Sequence, residues 1–439
     1  MAQENYKLYL KSKFVECKAT IAIVGLGYVG LPLAINYAKK GFKIIGLDSD
    51  ENKILQLNNR SSYINHISNQ LIRETFKDSK AIFSTNFELI ENCDAVIICV
   101  PTPLTKYRSP DLTFINSALN KIKPFLTSEK ILSLESTTYP GTTEELILPF
   151  VKKLGFNVGE DFFIVYSPER EDPGNKSFST SNIPKVLGGI TKNCAEVGKE
   201  LYSAVIEEII IVTDTKTAEM TKLLENIHRS VNIGLVNELK PLANEMSIDI
   251  FEVIRAAATK PFGFVPYYPG PGLGGHCIPI DPFYLSWKAK EFGMNTKFIE
   301  LAGEINSGMH QYVIKRIQEA LNFVGLSVKN SNALILGMAY KKNIDDFRES
   351  PSFPIIKSLS KLESKVSYND PYVNECHSLN KYLNTNYSID INKENLEKFD
   401  VVILVTDHDN YDYQLIFKYS KLIVDCRGKF QKDKKVFSS

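Results

Sequence analysis

Short apolar runs alternate with amphipathic stretches along most of the chain. Residues 21–24 are apolar, an amphipathic stretch follows through Lys40, and a second apolar run ends at Asp48. The rhythm continues in "DAVIICVPTPL" and "KILSLESTTYPGTTEEL", and "DFFIVYSPEREDPGN" ends another run on Ser167-Pro168-Glu169-Arg170. Strands buried on both faces read as short continuous apolar runs, and the helices between them carry the 3.6-residue period, so this region predicts βαβ units. From about Lys216 to Glu245 the pattern changes. Apolar residues there recur at three- and four-residue spacing, which predicts a long helix. "SNALILGMAYKKNIDDFRESPSFPIIKSLSK" restarts the strand–loop–helix rhythm, and "KFDVVILVTDHDNY" and "KLIVDCRGKF" carry it onward. The expected fold class is α/β, with a second α/β domain following a central helical segment that contains a long helix.

Composition narrows the possibilities. A chain of 439 residues exceeds one ordinary core, so several domains are expected. A net charge of +1 argues against general affinity for nucleic acid or anionic membranes. Seven scattered cysteines without a CxxC pair give neither a disulfide framework nor a metal site, and fit a reducing cytoplasm. "IAIVGLGYVGLPLA" is too short to span a bilayer. The expected location is cytoplasmic, with no nucleic-acid, membrane or metal partner.

The first apolar run meets Gly25-x-Gly27-x-x-Gly30. In such a turn the first glycine makes the bend and the second lets backbone approach a pyrophosphate. The third permits close helix–strand packing, and the helix N-terminus faces the phosphates. The preceding strand, the following helix and an acid ending the next strand are all present, which gives the motif its weight. Asp48 would accept hydrogen bonds from ribose hydroxyls and repel a 2′-phosphate, so NAD is expected rather than NADP. Leu26, Tyr28, Val29 and Lys53 complete this cofactor set. Thr102, Ser136 and Thr137 follow strands, where ligands of open α/β sheets gather, although each alone reads equally as a loop or capping residue. Glu169 is a carboxylate at a strand end, suited to be a base or polar anchor. Lys222 and Asn226 are four apart and project from one helix face. Lys341, Lys342, Arg348 and Arg427 are basic groups near strand ends of the last region, suited to a diphosphate. Each taken singly also reads as surface charge.

"YYPGPGLGGHCIPIDPFY", residues 267–284, places Cys277 on an irregular segment behind Gly274 and Gly275. A thiolate adds to carbonyls and leaves well, so it divides a difficult oxidation into easier steps. With a dinucleotide site in the same chain, the expected chemistry is oxidation of an alcohol to an aldehyde and capture of the aldehyde by the thiolate. A second oxidation to a thioester and its hydrolysis would follow. A nearby lysine would lower the thiol pKa and stabilise the oxyanion.

"GLGYVGLPLA", "VPTP", "ESTTYPGTTE", "SPERE", "KLLEN", "GPGLGGHCIPIDP", "YKKNIDDFRESPS" and "DCRG" occur in order from about Ala19 to Arg427. Together they resemble the UDP-glucose/GDP-mannose dehydrogenase family of nucleotide-sugar dehydrogenases. The resemblance implies an NAD-binding Rossmann domain over 19–213 and a central helical, dimer-forming domain over 214–312. It implies a UDP-binding Rossmann-like domain over 313–439; residues 1–18 form an N-terminal arm that matches no motif. It makes Cys277 the nucleophile and Lys222 the oxyanion and proton-handling group. Asn226 and Asp281 assist around the reacting carbon and its water, Thr137 places that water, and Glu169 acts as base through water in thioester hydrolysis. Glu169, Arg170, Lys222, Asn226, Tyr268, Gly274, Lys341 and Arg427 match substrate contacts, and Arg348 a cofactor contact. The implied partners are a UDP-sugar and a second copy of the chain.

Two departures point within the family. Where the UDP-glucose enzymes read PEFL-x-EG this chain has "PEREDPG", so Arg170 is new and the second acid falls on Pro173. His276 precedes the cysteine, with an expected positioning role. Both resemble the branch acting on UDP-N-acetylhexosamines, with UDP-N-acetylglucosamine the expected substrate for surface polysaccharide precursors. UDP-N-acetylmannosamine and UDP-glucose are the rivals. A two-electron hydroxy-acid-type dehydrogenase and a catalytically silent nucleotide-binding regulator are the more distant alternatives.

Overall fold

The computed structural model describes residues 2–64, 67–77, 81–170, 181–275 and 277–439. Two sheets organise it. The first uses β1 (Thr20–Val24), β2 (Lys43–Leu47), β3 (Ile82–Ser84), β4 (Ala95–Ile98), β5 (Lys130–Leu134), β6 (Phe162–Tyr166), β7 (Lys185–Gly189) and β8 (Ile209–Ile211) in the order β3-β2-β1-β4-β5-β6-β7-β8. All neighbours are parallel except β6 and β7, where Val165 pairs with Gly189. The second sheet uses β9 (Asn332–Leu336), β10 (Lys365–Asn369), β11 (Val401–Leu404), β12 (Ile423–Asp425) and β13 (Val436–Ser438) in the order β10-β9-β11-β12-β13, all parallel. These are the sheets of the two α/β regions expected from the apolar runs, and of the two Rossmann-like domains that the resemblance implies. β1 and β4 are buried from Ile21 to Val24 and from Ala95 to Ile98, as a strand covered by helices on both faces must be.

Seven helices bear on function: α1 (Ala2–Val15), α2 (Gly30–Lys39), α3 (Lys192–Ser203), α4 (Thr215–Glu245), α5 (Ile250–Ala257), α6 (Asp281–Ala289) and α7 (Lys297–Phe323). At 31 residues α4 is the long helix that the spacing predicts, and it tolerates Pro241 inside it. By contact the chain forms two compact units, residues 1–225 with 283–294 and residues 226–282 with 295–439. The central region is thus shared between the units, with α4 contributing residues to each. Among the described residues no helix is long and apolar enough to cross a membrane.

The N-terminal stretch that carries no motif is α1, and it belongs to the first unit's core. Leu10 and Phe14 are fully buried in the cluster that also holds Val197 and Leu201 of α3. Lys11 pairs with Glu200 at 3.4 Å, Lys7 pairs with Glu196, and Lys13 reaches Asp94 at 2.6 Å. The second oxygen of Asp94 accepts from Thr20 N at 2.8 Å, so one carboxylate ties α1 to the start of β1.

Candidate active site

The dinucleotide turn shows why glycine is required at its first and third positions. Gly25 has φ +94°, and a Cβ there would lie 2.6 Å from the Cys99 carbonyl oxygen. A Cβ on Gly30 would lie 1.9 Å from the carbonyl oxygen of Gly25, so α2 can begin only without a side chain. At Gly27 a Cβ would meet nothing within 4 Å, the open approach that a pyrophosphate needs. Asp48 Oδ2 accepts from Leu26 N at 2.9 Å and from Lys53 Nζ at 3.2 Å, while Oδ1 accepts from Asp50 N at 3.0 Å. The acid therefore braces the turn it faces. Tyr63, invisible to motif reasoning, donates its hydroxyl to Leu26 O. This cradle fits NAD. We expect kcat/KM with NAD to exceed that with NADP by at least roughly a hundredfold, because like charges brought together cost several kcal/mol. Equal efficiencies in initial-rate assays would remove that role from Asp48.

Further along the same sheet, Ser136 Oγ donates to Val100 O at 2.7 Å, and the Thr102 carbonyl accepts from Tyr284 Oη at 3.0 Å. Thr137 is half-buried on the loop after β5. That loop is anchored by Glu219 of α4. Its carboxylate accepts from Gly141 N at 2.5 Å, Thr143 N at 2.9 Å and Thr143 Oγ1 at 2.7 Å. Burial pushes this carboxyl up from 4.5 to about 7, outweighing the three donors. The folded state thus holds the proton more tightly than the unfolded chain. The stability contributed is full below about pH 4.5 and is lost as pH rises through about 7. Between pH 5 and 8, Glu219→Gln is expected to gain on the native protein by at most on the order of 3 kcal/mol, read from denaturant melts. Parallel profiles for the two proteins would refute this.

Glu169 and Arg170 follow β6. Lys222 of α4 is buried and donates its ammonium to Glu169 O. Arg170 pairs with Glu225 at 2.6 Å and donates to Pro184 O at 2.6 Å. Behind them lies an ion pair that sequence reasoning missed, Lys185–Glu135 at 2.8 Å, with side-chain exposures of 6% and 0%. Burial opposes the Lys185 charge, but the carboxylates of Glu135 and Glu169 outweigh it and hold its pKa above the usual lysine range.

The second unit carries the thiol. Of the seven cysteines, all among the described residues, only Cys277 is exposed. Burial pushes the Cys93 thiol up to about 12 and raises Cys99, Cys194 and Cys426 as well. The Cys277 carbonyl accepts from Ile280 N at 3.1 Å and Asp281 N at 2.8 Å, so the cysteine sits at the turn that opens α6. Asn226, one turn beyond Lys222 on α4, donates its amide to Asp281 Oδ2 at 2.5 Å and accepts from Arg229. Both Asn226 and Asp281 are buried. The glycines before the cysteine admit protein as well as any ligand: a Cβ on Gly274 would lie 2.5 Å from Tyr340 Cβ, and one on Gly275, at φ +82°, 2.8 Å from the Tyr340 ring. His276 and Pro173 lie outside the described residues.

The groups expected to bind substrate are likewise held by their surroundings. Tyr268 stacks on Phe251 of α5 with centroids 6.5 Å apart and rings inclined by 12°. Arg427 donates its Nε to Val405 O at 2.7 Å. Lys341 is half-buried on the loop after β9. That loop is supported by Asp370, which accepts from Met338 N at 2.7 Å and Ala339 N at 2.8 Å and pairs with His408 at 3.0 Å. His408 Nδ1 in turn accepts from Asn343 N at 2.9 Å. Arg348, expected at the cofactor, belongs to the second unit and pairs with Asp346 at 2.6 Å.

Comparison with known proteins places these arrangements in context. The chain matches the NAD binding domain of the UDP-glucose/GDP-mannose dehydrogenase family over residues 19–206, its central domain over 216–308 and its UDP binding domain over 334–432. It is 35% identical to a UDP-N-acetyl-D-glucosamine 6-dehydrogenase of Salmonella typhi, covering 89% of this chain and 90% of that one. It is 34% identical to a UDP-N-acetyl-D-mannosamine dehydrogenase of Methanococcus maripaludis, covering 89% and 86%. The solved UDP-D-ManNAc dehydrogenase of Pyrococcus horikoshii superposes with a TM-score of 0.85 at 30% identity, covering 94% and 96%. All three family segments in order, on a Rossmann turn built for a dinucleotide, make this chain a member of the UDP-glucose/GDP-mannose dehydrogenase family, an NAD-dependent nucleotide-sugar dehydrogenase.

Proposed function

We propose that the enzyme oxidises the C6 hydroxyl of a UDP-N-acetylhexosamine, with UDP-N-acetylglucosamine the preferred substrate, to the uronic acid through a thiohemiacetal and a thioester on Cys277. NAD, when bound, supplies the hydride acceptor for both oxidations. The Cys277 thiolate attacks the aldehyde carbon, forming the C–S bond of the thiohemiacetal. Lys222 holds its ammonium toward the oxygen on which charge develops and handles the hydroxyl proton. Loss of a hydride gives the thioester. Water, placed by Thr137 and by the buried Asn226–Asp281 pair and deprotonated through Glu169, breaks the C–S bond to release the carboxylate and the thiol. The balance is one alcohol and one water for one carboxylate, two hydrides and three protons.

The observation that carries this reading is that one thiol of the seven is exposed, at the turn opening α6. Substrate contacts are assigned to Arg170, Tyr268, Gly274, Lys341 and Arg427, and a cofactor contact to Arg348. Apolar residues exposed along α4, namely Leu235, Leu239 and Leu242 at spacings of four and three, with Met246 just past its end, support a homodimer; the cytoplasm is the location assigned with it.

UDP-N-acetylmannosamine is the second reading, favoured by the Methanococcus and Pyrococcus relatives. A panel of UDP-sugars assayed with NAD, counting NADH per acid formed, tests the proposal. UDP-N-acetylglucosamine is expected to exceed UDP-glucose by at least roughly tenfold in kcat/KM, a gap of about 1.4 kcal/mol. Comparable turnover of UDP-glucose would overturn the N-acetylhexosamine assignment, and a higher kcat/KM for UDP-N-acetylmannosamine would exchange the two epimers.

A further inference from the structure

We infer that Glu135 and Lys185 are positioning residues for thioester hydrolysis, setting Glu169 through the carbonyl of Pro168. The inference rests on the proposed function, in which Glu169 acts through water on the thioester.

The geometry is local to the first sheet. Lys185 Nζ donates to Glu135 Oε2 at 2.8 Å and to Pro168 O at 3.2 Å. The ammonium also lies over the Tyr202 ring, 5.0 Å from its centroid. The next carbonyl, that of Glu169 itself, accepts from Lys222. Two lysines, one from β7 and one from α4, therefore hold the carbonyls on either side of the Glu169 Cα. The following amide, Arg170 N, donates to Glu169 Oε1 at 2.7 Å, so the backbone directs the carboxylate itself. With the peptides on both sides of its Cα fixed, Glu169 has little freedom beyond its own side-chain torsions.

A buried ion pair is a poor way to gain stability, because desolvating two charges offsets most of their attraction. Its return here is positional. Glu135 directly follows β5 and Lys185 begins β7, so the pair spans β6, the strand from which Glu169 emerges. Lys222 is assigned to the oxidations directly, whereas the one proposed catalytic residue whose backbone Lys185 adjoins is the hydrolytic acid, through Pro168 O. Loss of the Glu135–Lys185 pair should therefore slow hydrolysis and spare hydride transfer.

The test is the double substitution Lys185→Met with Glu135→Met, since replacing a buried ion pair by apolar groups of similar volume is often neutral or stabilising. Lys185→Gln with Glu135→Gln is the second variant should the first not fold, and NAD binding reports that the domain is intact. Rapid mixing with the UDP-sugar found best in the panel, with excess NAD, is expected to give two NADH per active site at close to the native rate. Steady-state acid release should fall by about a hundredfold, the usual consequence of a displacement near 1 Å. A substrate-derived adduct on Cys277 should accumulate, visible in intact-protein mass spectra. Acid release at the native rate from either folded variant would overturn the inference, as would equal slowing of hydride transfer and hydrolysis. Glu169→Gln is the reference. If it accumulates adduct while the double variants do not, the positioning role alone falls. If it turns over without adduct, the hydrolytic role of Glu169 falls and the inference with it.

Discussion

Cys277→Ser is expected to lose formation of the uronic acid while still binding NAD and UDP-sugar as before. The expected loss is on the order of a thousandfold or more, as when the nucleophile of a covalent mechanism is removed. Serine preserves the shape of the turn that opens α6, because the Ile280 and Asp281 amides bond to the backbone carbonyl of residue 277. What changes is the nucleophile: a hydroxyl is hardly ionised near neutral pH without a dedicated base. No other thiol can substitute. Cys17 is only half-buried, but it lies in the turn after α1, outside every motif of the site, and the remaining five are buried. The native enzyme is expected to yield two NADH per acid with no free aldehyde. A stoichiometry of one, or near-native acid formation by the serine variant, would make the thiol incidental and bring forward the hydroxy-acid reading.

Lys222→Ala is the second severe change. Removing one preorganised electrostatic group that acts on developing charge costs on the order of a hundredfold or more in rate. Lys222 is buried and bonded to the Glu169 carbonyl, whereas the Gly25–Gly30 turn is braced independently by Asp48 and Tyr63. The variant should therefore lose kcat while its NAD dissociation constant, read by fluorescence titration, stays near the native value. Lys222→Arg should not restore the rate, because a guanidinium stays protonated and is bulkier than an ammonium. A fall in NAD affinity proportional to the fall in kcat would identify Lys222 as structural support.

The parts legible in the sequence are those whose chemistry is local. A strand, a glycine turn and a helix are adjacent in the chain, so GLGYVG and the acid at Asp48 announce themselves. Cys277 stands out because glycine and proline flank it. Glu219, Lys185, Glu135 and Tyr63 could not be found this way. Each reads as an ordinary surface polar residue, and its role arises from partners 37 to 78 positions away. Gly274 and Gly275 were legible as places of close approach, but the approaching group, Tyr340, is more than sixty residues distant. The N-terminal arm failed for another reason. Its apolar positions do not mark one face, since Leu8, Tyr9 and Val15 are exposed, and only contact with α3 reveals that Leu10 and Phe14 belong to a core.

That contact has a consequence for how the chain is made. α1 is synthesised before α3, so its apolar face lacks that partner until α3 has been made. At about 5–20 residues per second, the roughly 180 residues between Phe14 and Cys194 take about ten to forty seconds. Throughout that interval Leu10 and Phe14 are exposed on a nascent segment too short to be a stable helix alone. The first unit is still incomplete when α3 emerges, because it also draws on residues 283–294, made after a stretch of the second unit. Completion of the cofactor domain during translation must therefore wait until the loop bearing Cys277 has been made, and apolar surface left open for that long is the kind that favours aggregation.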